Sequence, residues 1–134
     1  MNTKSGFTLV ELMVVAIIVG ILMAVLAPIM LGNKKQAMAT EGQTGLGVIR
    51  SAMQVYKNEF GKYPDGEMGK TMDQVTGLMV KRGDLDGIYF KTDGYRLTSI
   101  TASNYILTAT GYTNDAAGQT VTLDSGGHWG GTML

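Results

Sequence analysis

The chain predicts an α+β fold in which one long N-terminal α-helix, membrane-spanning in its first half and amphipathic in its second, packs on a small antiparallel β-sheet. Three features of the sequence carry this prediction. Residues 12–31 hold no charge. Apolar residues between Leu46 and Phe60 recur at steps of three and four. Beyond residue 87, short runs rich in aromatic and β-branched residues alternate with Gly, Asp and Ser turn letters.

The uncharged stretch comes first. At ~1.5 Å rise per residue it spans about 30 Å as a helix, the thickness of the hydrocarbon layer. A cleaved secretory signal would have a shorter apolar core, about 7 to 15 residues, followed by a small-residue cleavage site. Here the run continues into Gly32-Asn33-Lys34-Lys35. Glu11 is the single charge between Ser5 and Asn33. A lone charge in the bilayer costs roughly 2.5 to 3.5 kcal/mol on the insertion scale, so Glu11 needs a compensating partner. Pro28 removes a backbone donor and Gly20 is a second weak point, both tolerated in a membrane helix as kink positions. Lys4 on one side and Lys34 with Lys35 on the other leave orientation unsettled by positive charge alone.

The second half of the helix carries the stripe Leu46, Ile49, Met53, Tyr56 and Phe60, with Arg50, Lys57 and Glu59 off it. Gly42, Gly45 and Gly47 each cost about 1 kcal/mol against alanine there, which marks a bend or a close approach. The helix is expected to run to about Asn58, on the order of 75 Å from Phe7. Gly61 suits its cap, and Pro64 forces Tyr63 out of the helical region. After a polar loop over 65–70, Thr71 and Gln74 suggest a capping box for a short helix bearing Val75, Leu78 and Met79, closed by Gly83. Met68, Met72 and Met79 read as adaptable packing.

Strands are expected over 88–92, 95–101, 105–111 and 119–123, with Asp93-Gly94 as a hairpin signal. Alternation puts Tyr95, Leu97, Tyr105, Leu107, Val121 and Leu123 on one face, toward the helix stripe.

Composition excludes several function classes. Eleven basic and eleven acidic side chains leave no basic field for nucleic acid. With no cysteine there is neither a disulfide framework nor a thiol site. His128 is the sole histidine and stands in a Gly-rich segment with no nucleophile motif, so no active site is assigned and the chain is not read as an enzyme. Asp84-Leu85-Asp86-Gly87 invites a calcium reading but lacks the further ligands of an EF-hand loop. A solvated turn is the favoured reading, with Asp84, Asp86, Asp115 and Asp124 kept as weak metal candidates.

Lys4-Ser5-Gly6-Phe7-Thr8-Leu9-Val10-Glu11 resembles the class III prepilin leader of the type IV pilin-like family. The segment 31–37 and the step from Tyr56 to Tyr63-Pro64 are most similar to the major pseudopilins of type II secretion. The resemblance implies that a prepilin peptidase cuts after Gly6 and methylates the new Phe7 amine to N-methylphenylalanine. It also makes Glu11 the assembly residue. The charge argument agrees: an ammonium on Phe7 of one subunit and Glu11 of the next relieve each other's desolvation, and breaking such a pair costs ~3 to 5 kcal/mol. In the family, helix loosening near Gly20 and Pro28 lets subunits slide.

The implied organisation is a leader (1–6), a transmembrane and assembly helix (7–31), an amphipathic helical half (32–60) and a globular domain with a short helix and antiparallel sheet (61–134). The implied partners are copies of the chain, minor pseudopilins, the peptidase and an inner-membrane assembly platform, with no nucleic acid. The subunit would be a single-pass protein of the bacterial inner membrane, C-terminal domain outside the cytoplasm, ending in a periplasmic or extracellular filament. Two departures stand out: the disulfide of many type IV pilins is missing, and so is the Asp-Pro-Trp-Gly segment of the family's calcium loop. Major pseudopilin is the first reading, a disulfide-free type IV pilus major pilin the second. A membrane-anchored ligand-binding protein is the third.

Overall fold

The computed structural model describes residues 6–113 and 115–134; residues 1–5, which include Lys4 and most of the expected leader, lie outside the described residues. A single helix, α1 (Leu9–Phe60), accounts for 52 residues. The chain divides into two compact units, Met1–Lys34 and Lys35–Leu134.

The described part of the first unit is helix alone from Leu9 onward. Its apolar side chains, from Leu9 through Leu31, are all exposed. Pro28 lies inside α1 without ending it.

The second unit is built on the C-terminal part of α1. Leu46, Ile49 and Met53 are fully buried, and burial of such side chains stabilises by about 1.5 to 3 kcal/mol each. The expected stripe therefore holds at its centre, while Tyr56 is half-buried and Phe60 is exposed, their rings 4.5 Å apart. Gly42 and Gly45 are where the sheet comes closest. A Cβ on Gly42 would meet the Phe90 ring and Val121, and one on Gly45 would overlap the Tyr95 phenol. Gly47 faces open space. The helix ends as its letters predict: Gly61 adopts φ 73° and donates its N–H to the Lys57 carbonyl at 2.8 Å. Tyr63 then turns into the core, edge-on to Tyr105 and beneath the Lys57 ammonium.

The sheet is antiparallel in the order β1 (Tyr95–Ile100), β2 (Tyr105–Thr110), β3 (Thr120–Asp124) and β4 (Trp129–Gly130). Leu97, Leu107 and Leu123 form one cross-strand row, Tyr95, Ala109 and Val121 another, and all six are buried. A register shift between Leu97 and Ser99 marks a β-bulge in β1. The outer edge of β1 is covered by the chain around residues 69–71, through Gly69 N–H to the Leu97 carbonyl and a bridge from Thr71 to Arg96.

Several sequence expectations change. Residues 88–92 form no strand, because their amides are drawn to side chains instead of a ladder. The Ile88, Tyr89 and Phe90 N–H groups donate to the Glu41 carboxylate at 3.2, 2.8 and 2.9 Å, and the Thr92 N–H donates to Asp86 Oδ1 at 2.7 Å. Asp93-Gly94 accordingly closes a 3₁₀ turn (Thr92–Gly94), not a hairpin. The fourth strand comes from Trp129–Gly130, in the glycine-rich segment. The helix expected after Thr71 is one 3₁₀ turn (Met72–Gln74) with no side-chain cap from Thr71, whose backbone is engaged with Arg96, and Gly77 at φ 83° leaves the helical region soon after. Of the three methionines read as packing, Met72 is buried, whereas Met68 and Met79 are exposed.

Candidate assembly site on the N-terminal helix

The helix start is organised by a reciprocal pair. The Thr8 N–H and Thr8 hydroxyl both donate to Glu11 Oε2 at 2.8 Å, and the Glu11 N–H donates to Thr8 Oγ1 at 3.2 Å. This is a capping box, with Thr8 as N-cap and Glu11 three residues on, satisfying amides that the first helical turn cannot pair internally. The Thr-x-x-Glu spacing is a capping-box signature legible in the sequence. The box engages Oε2 of Glu11, and Oε1 has no hydrogen bond among the described residues. A negative side chain in the first turn also complements the helix dipole.

Gly6 and Phe7 precede the helix in non-helical backbone, and Phe7 is exposed. An 18-residue window within α1 reaches a mean hydropathy of 3.0 with none of it buried, long and apolar enough to cross a membrane by length and composition. Nothing lies within 4 Å of where a Cβ on Gly20 would stand.

The four candidate metal aspartates are not brought together. Asp84 Oδ2 accepts the Lys81 N–H at 2.9 Å, and Asp86 Oδ1 accepts from the N–H and hydroxyl of Thr92. Asp115 offers its backbone carbonyl to the Gln119 amide at 3.0 Å. Asp124 closes the turn before β4 by accepting the His128 N–H at 2.9 Å and pairing with its ring at 3.0 Å. Among the described residues no group of three His, Cys, Asp or Glu side chains is placed to hold a metal ion.

Two further polar positions stand out in the second unit, Glu41, which the sequence pattern gave no reason to single out, and the inward-facing Tyr105. Glu41 gathers the three amides of residues 88–90, and Gly87 lies so close that a Cβ there would displace the carboxylate. The Tyr105 hydroxyl is buried next to the Arg50 guanidinium without a well-formed hydrogen bond, and burial pushes it up to about 12.

Comparison with known proteins gives both sequence and fold similarities. Residues 1–27 match the prokaryotic N-terminal methylation motif. The chain is 34% identical over 90 residues to type II secretion system core protein G of Aeromonas hydrophila, covering 66% of this chain and 63% of that one. It is 33% identical over 95 residues to the protein of the same name from Klebsiella michiganensis, covering 70% and 63%. With that of Vibrio cholerae it shares 38% over 69 residues, covering 52% and 47%. The chain thus spans less than two thirds of the length of these relatives. Among solved structures, the non-core minor pilin PilV of Neisseria meningitidis superposes with a TM-score of 0.54 at 19% identity, covering 75% of this chain and 88% of that one. The fold is that of a pilin: one long N-terminal helix packed on a small antiparallel sheet.

Proposed function

We propose that this chain, a pilin-like protein with a prepilin methylation motif, is the major pseudopilin of a type II secretion system. It works as a structural filament subunit, not as an enzyme. A prepilin peptidase cuts after Gly6 and methylates the Phe7 amine. The subunit waits in the bacterial inner membrane on residues 7–31, with residues 61–134 outside the cytoplasm. An inner-membrane assembly platform then extracts it into a polymer with copies of itself and minor pseudopilins. The observation that carries this reading is Glu11, a carboxylate whose own-chain bonds use one oxygen, at the head of an apolar and exposed helix. In the polymer the neighbour's Phe7 ammonium occupies the other oxygen. Gly20 and Pro28 are the positions where the helix yields during extraction or stretching.

A disulfide-free type IV pilus subunit is the second reading, favoured by the superposition on a pilin. A clean deletion separates the two. The pseudopilin reading expects normally secreted proteins to accumulate in the periplasm while surface pili persist; loss of pili with intact secretion sinks it.

A further inference from the structure

Two adjoining depressions in the second unit, about 270 and 290 Å³, share Arg82, Thr92 and Asp93 as common lining. Neither belongs to the assembly site. Their linings include buried threonines, Thr92 at 3% exposure in both and Thr71 at 6% in the second.

The walls are charged but balanced, with Arg82, Lys91 and Arg96 facing Asp73, Asp86 and Asp93. Asp86 spends one oxygen on Thr92, and Arg96 donates one N–H to the Gly69 carbonyl at 3.0 Å. The side chains of Arg82, Lys91, Asp73 and Asp93 make no hydrogen bond or salt bridge among the described residues. Arg82 and Lys91 act on Asp86 through charge alone, so donors and acceptors free of hydrogen bonds line the two adjoining depressions together. An anion entering them meets three carboxylates and a cation meets three bases, so neither gains. A ligand whose every polar group both donates and accepts matches both sets, and the hydroxyl is that group. Tyr112, 66% exposed, lines the first depression and supplies an aromatic ring there.

We propose that this cleft binds a short neutral saccharide, its hydroxyls shared between the Arg82/Lys91 donors and the Asp93/Asp73 acceptors and one ring face laid on Tyr112. The site is independent of the filament reading and survives its failure.

The test is an amide NMR titration of the full chain in amine-oxide micelles, free of sugar headgroups, with cellobiose, maltose and chitobiose as probes. At least one probe should give saturable shifts at Thr92, Asp93 and Tyr112, with a Kd on the order of millimolar. Binding should weaken tenfold or more in Tyr112→Ala and in Asp93→Asn, both exposed positions, with the remaining spectrum unchanged. Should Asp93→Asn disturb the turn, Arg82→Gln must give the same weakening. The proposal is overturned if no probe gives saturable shifts, if these variants bind as well as the parent, or if glycine, phosphate or calcium ions bind the cleft more tightly than every sugar.

Discussion

Glu41 accepts three backbone N–H bonds from residues 88–90, and amides bonded to a carboxylate contribute more than neutral pairs, about 1.5 to 3 kcal/mol each before losses elsewhere. Replacing it with alanine strands the part-buried amides of Tyr89 and Phe90. Glu41→Ala is therefore expected to lower the stability of the second unit by at least about 2 kcal/mol. Chemical denaturation of the two proteins side by side checks this, and a change within about 0.5 kcal/mol would remove Glu41 from the account. At the start of α1 the Glu11 carboxylate shows the same economy, one oxygen accepting both the N–H and the hydroxyl of Thr8. Sequence alone exposed Glu11 because it is charged among apolar letters. Glu41 stayed hidden because a glutamate on an amphipathic helix looks solvated, and its partners lie 47 to 49 residues away.

The helix and the sheet meet through glycine. Gly45→Ala would gain about 1 kcal/mol of helix propensity but drive a methyl into the Tyr95 phenol, and overpacking of that kind costs about 1 to 3 kcal/mol. The expected outcome is net destabilisation, whereas Gly47→Ala, facing open space, should stabilise by up to about 1 kcal/mol; thermal melts of the pair read the opposite signs. The turns titrate. The Thr92 N–H first, then its hydroxyl, holds the Asp86 carboxyl below its ordinary range, and the His128 N–H does the same for Asp124. Both bind protons less readily folded than unfolded, so their contribution is complete above about pH 4 and is lost as pH falls through the folded values. Tyr95 and Tyr105 shift the other way, raised chiefly by burial, Tyr105 to about 12. The unfolded chain then loses tyrosine protons first, near pH 10, and stability falls as pH climbs from there toward 12. A melting profile across pH should drop at both ends, and Asp86→Asn should flatten the acid limb. Elements with strong periodicity were legible in advance: α1 from its apolar run and stripe, and β1 to β3 from alternation. The run 88–92 has strand composition but no strand, since propensity cannot register that a distant carboxylate takes its amides. Thr71 failed as a cap for a similar reason, its backbone being drawn to Arg96 of β1.

At the scale of the molecule, a sheet-and-helix unit sustains its own core, while the first unit leaves a run of large apolar side chains uncovered. Such a surface demands lipid or other copies of the chain. In the candidate site, resemblance singled out Gly6 and Phe7, and charge singled out Glu11, because a lone acid in an apolar run is costly enough to need a reason. The capping role of Glu11 was in the letters, and the balanced cleft around Arg82 was beyond sequence reading, since its six charges come from three separate stretches of chain. The central claim is that Glu11 joins one subunit to the next. It is tested most directly by counting fibres that label with antibody to this chain, by electron microscopy of material released from the periplasm and the cell surface, in cells carrying Glu11→Ala with the cleaved subunit quantified in the membrane. Loss of a buried charge pair worth ~3 kcal/mol or more corresponds to roughly a hundredfold fewer fibres at equal subunit level. Fibres at wild-type number from the Glu11→Ala subunit would contradict the account.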